Sequence, residues 1–327
     1  MLELLTKGRT FSVTWKSRSA AAPCSTANLG PGYDVFGLAL DALEDKVKVS
    51  RTSSDDSGRI TIKNTDQAIP SMPGSNSAGL VVKKMMEDFE ISDNTEIEIT
   101  KGVPAGYGVG SSAASAAAAA MAFNALYGLK IDKKRLVEYA AEGEVASAGT
   151  KHYDNVSASL LGGFVICRVT SDRLQFTRLE PPRDLVLVVA VPGVEVPKKK
   201  TEQARSVLPK VVPLKDVVYN ISGAATVVAG FALKDVETIT RGIDDTIIES
   251  ARKHLIPGYE SVKQNAISAG ALAVTISGAG PSMVAFLKTN KNAKRVAAAM
   301  TKGFEGGGVK SSRTFICRAS NGARLLA

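Results

Sequence analysis

Apolar positions along this chain recur with two different periods. "KVKVS" (residues 46–50) and "RITIKN" (residues 59–64) alternate polar with β-branched residues, as half-buried strands do. They are predicted to be neighbours in one sheet. "SAGLVVKKMMEDFEI" (residues 77–91) repeats its apolar positions at helical spacing behind Asn76, which is well placed as its N-cap. "TEIEITKG" (residues 95–102) returns to period two, and the alanine run beginning near Ser111 can hardly avoid being helical.

Farther on, "DKKRLVEYAAEGEVASAG" (residues 132–149) is a helix ending at a glycine. Three strands are predicted next, in "GGFVICRVT", "LQFTRLE" and "DLVLVVAVPG". Residues 201–270 are almost wholly helical in pattern, and "ALAVTISGAGPSMVAFLK" (residues 271–288) predicts strand, glycine-rich turn, strand. A helix over 291–303 and a strand over 313–317 follow. Strict βαβα alternation is absent, so the expected fold class is α+β. At 327 residues the chain exceeds the usual single-domain size, so two lobes are expected, residues 1–195 and 196–327.

Composition narrows this picture only a little. With 44% hydrophobic and 22% charged residues the chain is ordinary for a soluble globular protein. A net charge of +9 suits nucleic acid, an anionic surface or an acidic small molecule. Apart from "PKKKTEQAR" (residues 197–205) and "KNAKR" (residues 291–295) the cations are scattered, with no aromatic-rich RNA-reading signature, so no nucleic-acid partner is expected. Cys24, Cys167 and Cys317 form neither a disulfide framework nor a zinc site, which fits a reducing cytosol. The N-terminus has no leader pattern and no apolar run approaches a membrane span, so a cytoplasmic protein without a membrane partner is expected.

The segment "PAGYGVGSSAAS" (residues 104–115) carries candidate chemistry. The first amides of a helix lack partners, and the helix dipole leaves about half a positive charge there. Gly106, Gly108 and Gly110 remove side chains that would hold a phosphate away from the backbone. Ser111 and Ser112 add hydroxyls able to donate to phosphate or ligate Mg²⁺, and Lys101 adds a cation upstream. Spacing excludes both the P-loop and the dinucleotide fingerprint. A plain Gly/Ser turn is the duller alternative.

Three segments together, "PCSTANLGPGYDVFGLAL" (residues 23–40), the glycine-rich segment, and "TISGAGPSMVAF" (residues 275–286), resemble the GHMP kinase superfamily. With "EVASAGTKHYDNVSASLLGGF" (residues 144–164), the resemblance within it is to the homoserine kinases and covers nearly the whole chain. It implies an N-terminal lobe like the second domain of ribosomal protein S5, a C-terminal ferredoxin-like lobe, and the active site between them. It also implies ATP-dependent phosphorylation of the side-chain hydroxyl of L-homoserine, Mg²⁺, and a homodimer.

On the family pattern, Pro104, Ala105, Gly106, Tyr107, Gly108, Val109, Gly110, Ser111, Ser112, Ala113 and Ala114 wrap the ATP phosphates, with Lys101 beside them. Ser112 and Glu144 hold Mg²⁺, and Asn76 contacts adenine unless it is merely a helix cap. Asn28, Asp34, His152, Arg205 and Arg252 bind the amino acid, whose zwitterion needs both an anion and cations. Asp154 is the candidate base, with Asn155 as the alternative group facing the hydroxyl. Taken singly, Asp34 reads as a turn cap, His152 as a core histidine and each arginine as solvated. Other kinases of the superfamily, acting on mevalonate, shikimate or pantoate, and a non-catalytic binding protein on the same fold remain rivals. The resemblance gives the Tyr107 ring no role of its own, over the nucleotide or toward solvent, and none to the segment before Phe11.

Overall fold

The run predicted at 46–50 is the middle of a much longer strand. The computed structural model describes residues 16–53, 57–64, 69–170, 173–197 and 200–327. The segment before Phe11, and Lys198 and Lys199 of the basic run, lie outside the described residues. In the first lobe, β1 (Ser17–Asn28) and β2 (Gly32–Ser53) form a hairpin, followed by β3 (Ile60–Asn64), helix α1 (Ser77–Asp88) and β4 (Asn94–Thr100). Then come α2 (Ser111–Leu126), α3 (Lys133–Ala148), α4 (Asp154–Leu161), β5 (Phe164–Val169) and β6 (Leu174–Leu179).

β3 and β2 share a sheet but are not neighbours, because β4 lies between them, antiparallel to β2 and parallel to β3. The start of β2 pairs instead with β5. Helix α2 is buried almost all round by alanines, which lets the sheet and neighbouring helices close on it.

The second lobe contains β7 (Val186–Pro192), five helices α5 (Lys200–Ser206), α6 (Leu214–Leu233), α7 (Val236–Gly242), α8 (Ile248–Arg252) and α9 (Tyr259–Ser268), and then β8 (Ala273–Ile276) and β9 (Met283–Leu287). Helix α10 (Ala293–Gly306) and β10 (Ser312–Cys317) complete a sheet of order β10-β7-β9-β8. Strand β11 (Arg324–Leu325) crosses back to pair with β1. The sheets therefore divide the chain before residue 195, since β7 belongs wholly to the second one.

β7 is apolar throughout because it is covered on both faces. Leu187, Val189 and Val191 enter a core shared with Leu38, Phe164 and Phe231 of both lobes, while Val186, Val188 and Ala190 pack under α9 and α10. Phe164 stacks on Phe231 with ring centroids 3.9 Å apart. The lobes thus meet through continuous apolar packing, with the cleft at its edge.

Against the sequence expectation, α6 is long and apolar enough, by length and composition, to cross a membrane. Its Val218 and Ile221 are exposed, and it packs against α7, where Gly230 and Gly242 allow close approach.

Candidate active site

A cleft of about 650 Å³ opens at the N-terminus of α2 and is lined by both lobes. Gly110 occupies the N-cap of α2 in the left-handed conformation (φ +69°), and no side chain caps the helix. The first amides of α2 are left available to an anion. Gly106, Gly108, Gly110, Ala105, Ser111 and Ser112 line the cleft, whereas Pro104, Tyr107, Val109, Ala113 and Ala114 do not. Val109 and Ala114 pack into the core shared by the lobes, and Ala113 into that of the first. Tyr107 reaches across the lobes, donating its hydroxyl to the carbonyl of Val194 at 2.9 Å.

The two serines have separate tasks. Ser111 Oγ donates to the carbonyl of Val103 at 2.8 Å and accepts from Lys101 at 2.7 Å, so it belongs to the floor. Ser112 lines the cleft with Glu144, whose carboxyl pKa its hydroxyl tends to lower. Lys101 lines the cleft beside the loop, as expected of it, but its charge already has a partner. Its buried ammonium is ion-paired with buried Asp45 and also donates to Ser111 and Ser115. Asp45 in turn accepts from the amides of Gly102 and Val103 at 3.0 and 2.9 Å. Lys101 therefore braces the loop from below, its charge already neutralised.

Glu144 is buried, and burial pushes its carboxyl up to about 7, a rise reinforced by Asp154 and opposed by the Ser112 hydroxyl. A carboxylate raised this way makes the free protein less stable as pH climbs from the ordinary carboxylate range through about 7. Glu144→Gln is accordingly expected to raise the melting temperature of the ligand-free protein above pH 7 while lowering turnover. Thermal scans paired with activity assays check both signs.

Asn76 caps α1, accepting from the amides of Ala78 and Gly79 at 3.0 and 3.1 Å and donating to Pro70 O at 2.8 Å. It lines the cleft with both ends of its amide engaged.

At the other end of the cleft, Asn28 (φ +72°) donates to Gly278 O at 2.9 Å and accepts from the Asp34 amide at 3.1 Å. Asp34 pairs with Arg205 at 2.8 Å. Arg205 also meets Nε2 of His152 at 2.6 Å. Since a guanidinium only donates, His152 accepts there and carries its proton on Nδ1, 4.0 Å from Glu144. Burial, and then the charge of Arg205, hold this imidazole below its ordinary pKa.

Arg252 is buried, donates to Ala204 O at 2.9 Å, and stands over the Tyr33 ring at 5.1 Å with Arg205 at 5.6 Å. Tyr33 was not singled out from sequence, although it sits inside the first quoted motif.

Asp154 and Asn155 both line the cleft from the start of α4. Asn155 Oδ1 accepts from Ser25 Oγ at 2.9 Å, and its amide nitrogen points toward Asp154, to whose Oδ1 it donates at 3.4 Å. Asp154 is buried, and burial, helped by the Asp34 charge, lifts its carboxyl to about 7. Its Oδ1 accepts from the Asn155 amide at 2.7 Å. Ser25, which fixes Asn155, was likewise not foreseen.

Comparison with known proteins agrees with this geometry. The family model for the GHMP kinases N terminal domain matches residues 76–163, and that for GHMP kinases C terminal matches residues 227–306. A homoserine kinase of Thermoplasma volcanium is 41% identical over 89% of this chain and 91% of its own length. One from Methanopyrus kandleri is 45% identical over 81% and 85%. The crystal structure of homoserine kinase from Cytophaga hutchinsonii superposes with a TM-score of 0.88 at 36% identity, covering 97% of this chain and all of that one. L. major mevalonate kinase, at 15% identity and a TM-score of 0.69, shares the fold. With an uncapped helix beneath a glycine loop, paired charges opposite it, and relatives matched over most of their length, the chain belongs to the homoserine kinase family of the GHMP kinases.

Proposed function

We propose that this protein transfers the terminal phosphoryl group of ATP to the side-chain hydroxyl of L-homoserine. The observation that carries the choice of acceptor is the Asp34–Arg205 pair beside Arg252, which offers both signs of charge within one pocket. A zwitterionic amino acid needs both, and mevalonate, shikimate or pantoate, which lack an ammonium, leave Asp34 unused. The hydroxyl oxygen attacks the γ-phosphorus, the bond from that phosphorus to the bridging oxygen breaks, and ADP leaves with those electrons. The hydroxyl proton passes to the Asp154 carboxylate, while the amide nitrogen of Asn155 orients the oxygen.

Ser112 and Glu144 offer hard oxygen donors in the cleft beside the loop, and among the described residues no group of three or more His, Cys, Asp or Glu side chains is placed to hold a metal ion. Such a pair suits Mg²⁺, which keeps waters and phosphate oxygens as its other ligands. When bound there, the ion offsets the negative charge of the phosphates. The amides of α2 and the bare loop align the phosphate chain. A homodimer and a cytoplasmic setting complete the reading, supported by exposed apolar residues on α6 and three free buried cysteines.

ADP release measured with homoserine, mevalonate, shikimate and pantoate tests the assignment. Homoserine is expected to be the preferred acceptor, and mevalonate turned over equally well overturns it. Arg252→Lys is expected to raise the KM for homoserine by about 10- to 100-fold, because an ammonium cannot reproduce the two parallel bonds of a guanidinium. The KM for ATP should stay unchanged, and steady-state kinetics separates the two.

A further inference from the structure

Lys200, in the first turn of α5, lines the cleft alongside Gly106, Gly108 and Gly110. Its ammonium donates to the carbonyl of Gly280 at 2.5 Å. That same carbonyl would be struck by a Cβ on Gly108, so the ammonium is anchored where a turn of the second lobe meets the phosphate loop. Among the described residues no carboxylate pairs with it. The neighbouring charge that bears on it is Arg252, a second cation. Burial, and then that cation, push the Lys200 ammonium down to about 7. A recessed cation with cationic company is a place built for an anion.

Two anionic groups come to this cleft under the proposed reaction. The amino-acid carboxylate is matched by Arg205 and Arg252, which flank Tyr33. The phosphate chain has the loop amides, but Lys101 beneath them is already neutralised by Asp45. We propose that Lys200 provides the missing side-chain charge, contacting the terminal phosphoryl group of the nucleotide from the second lobe. A compact ammonium on a flexible stem suits a group whose oxygens shift during transfer. The inference rests on the ATP-dependent kinase reading of this cleft and adds a ligand-contacting residue to it.

The test is equilibrium binding of ADP and of a non-hydrolysable ATP analogue, each with Mg²⁺, to the full-length protein and to Lys200→Met. The analogue is expected to lose about tenfold or more in affinity while ADP changes less than about twofold, since ADP lacks the group contacted. Lys200→Arg restores the difference. Lys200→Gln, which keeps a donor for Gly280, shows the same loss as Met and covers the case in which Met fails to fold. Equal losses for both nucleotides, or none for either, overturn the proposal. So does a weakened affinity for homoserine with nucleotide binding intact, which would assign Lys200 to the carboxylate. If the unaltered protein releases no ADP with homoserine yet the variants still distinguish the nucleotides, the acceptor assignment fails and the role of Lys200 stands.

Discussion

Asp154→Asn lowers kcat by about 10²- to 10⁴-fold at neutral pH, the range expected for losing a positioned proton acceptor. Asp154 starts α4 with its carboxyl buried, and that burial, ahead of the Asp34 charge, raises it to about 7. The amide of Asn155 and the Arg205 charge hold it from going higher. A base must be ionised to act, so kcat rises with pH through about 7 and levels above it. The variant lacks that limb. Turnover measured from acid to alkaline pH at saturating Mg²⁺ and ATP isolates the effect, because a bound cation draws the Glu144 titration down and out of the window. A loss smaller than about tenfold with the limb intact removes Asp154 as acceptor and leaves Asn155 to orient the hydroxyl.

Gly108→Ala costs about 10²-fold or more in kcat/KM for ATP, the scale associated with displacing a site by an ångström. Gly108 has φ +78°, and a Cβ there would come under 3.0 Å from Ser277 O, Gly280 O and Gly280 N. These are backbone atoms, so no side chain can swing aside to relieve the clash. Ser277 Oγ also donates to Gly108 O at 2.8 Å, and the amide of Ser282 to Tyr107 O at 3.2 Å. The substitution pries a turn of the second lobe from the phosphate loop at the edge of the cleft. Gly128→Ala is the control, since Gly128 also has positive φ (+60°) but nothing within 4 Å of an added Cβ. It pays only the local backbone cost of about 1–2 kcal/mol and keeps its kinetics. Similar kinetics for the two variants would remove the seam argument.

Elements with clear periodicity are legible in the amino-acid sequence. Asn76 and α1, the alanine helix and the strand-turn-strand at 271–288 stand where pattern and caps put them. The β1–β2 hairpin was not legible. Residues 20–28 are buried on both sides and built from small residues, so they show no alternation. The mixed order of β2, β4 and β3 also depends on pairings that local pattern does not encode.

Among site residues the limits are geometric. Lys101 is taken up by Asp45, 56 residues earlier in the chain, a partner no local motif reveals. Ser111 and Ser112 look alike in sequence, but Ser111 is tied into the floor by Val103 and Lys101, whereas Ser112 lines the cleft with Glu144. Lys200 lies inside a basic run whose spacing carries no site signature, and only the approach of the Gly280 turn places it in the cleft.

Strand β11 returns from the second lobe to lie along β1, with Ala20 opposite Leu325, Ala21 opposite Arg324, and Ala323 sealed into the first core. While the chain emerges from the ribosome, the stretch of β1 at Ala20 and Ala21 therefore lacks its second partner until more than 295 further residues have been made. The first lobe cannot complete its packing until the last residues of the sequence have been made. That short margin of the sheet, and the seat of Ala323 in the core beside it, consequently stay open for nearly the whole of synthesis.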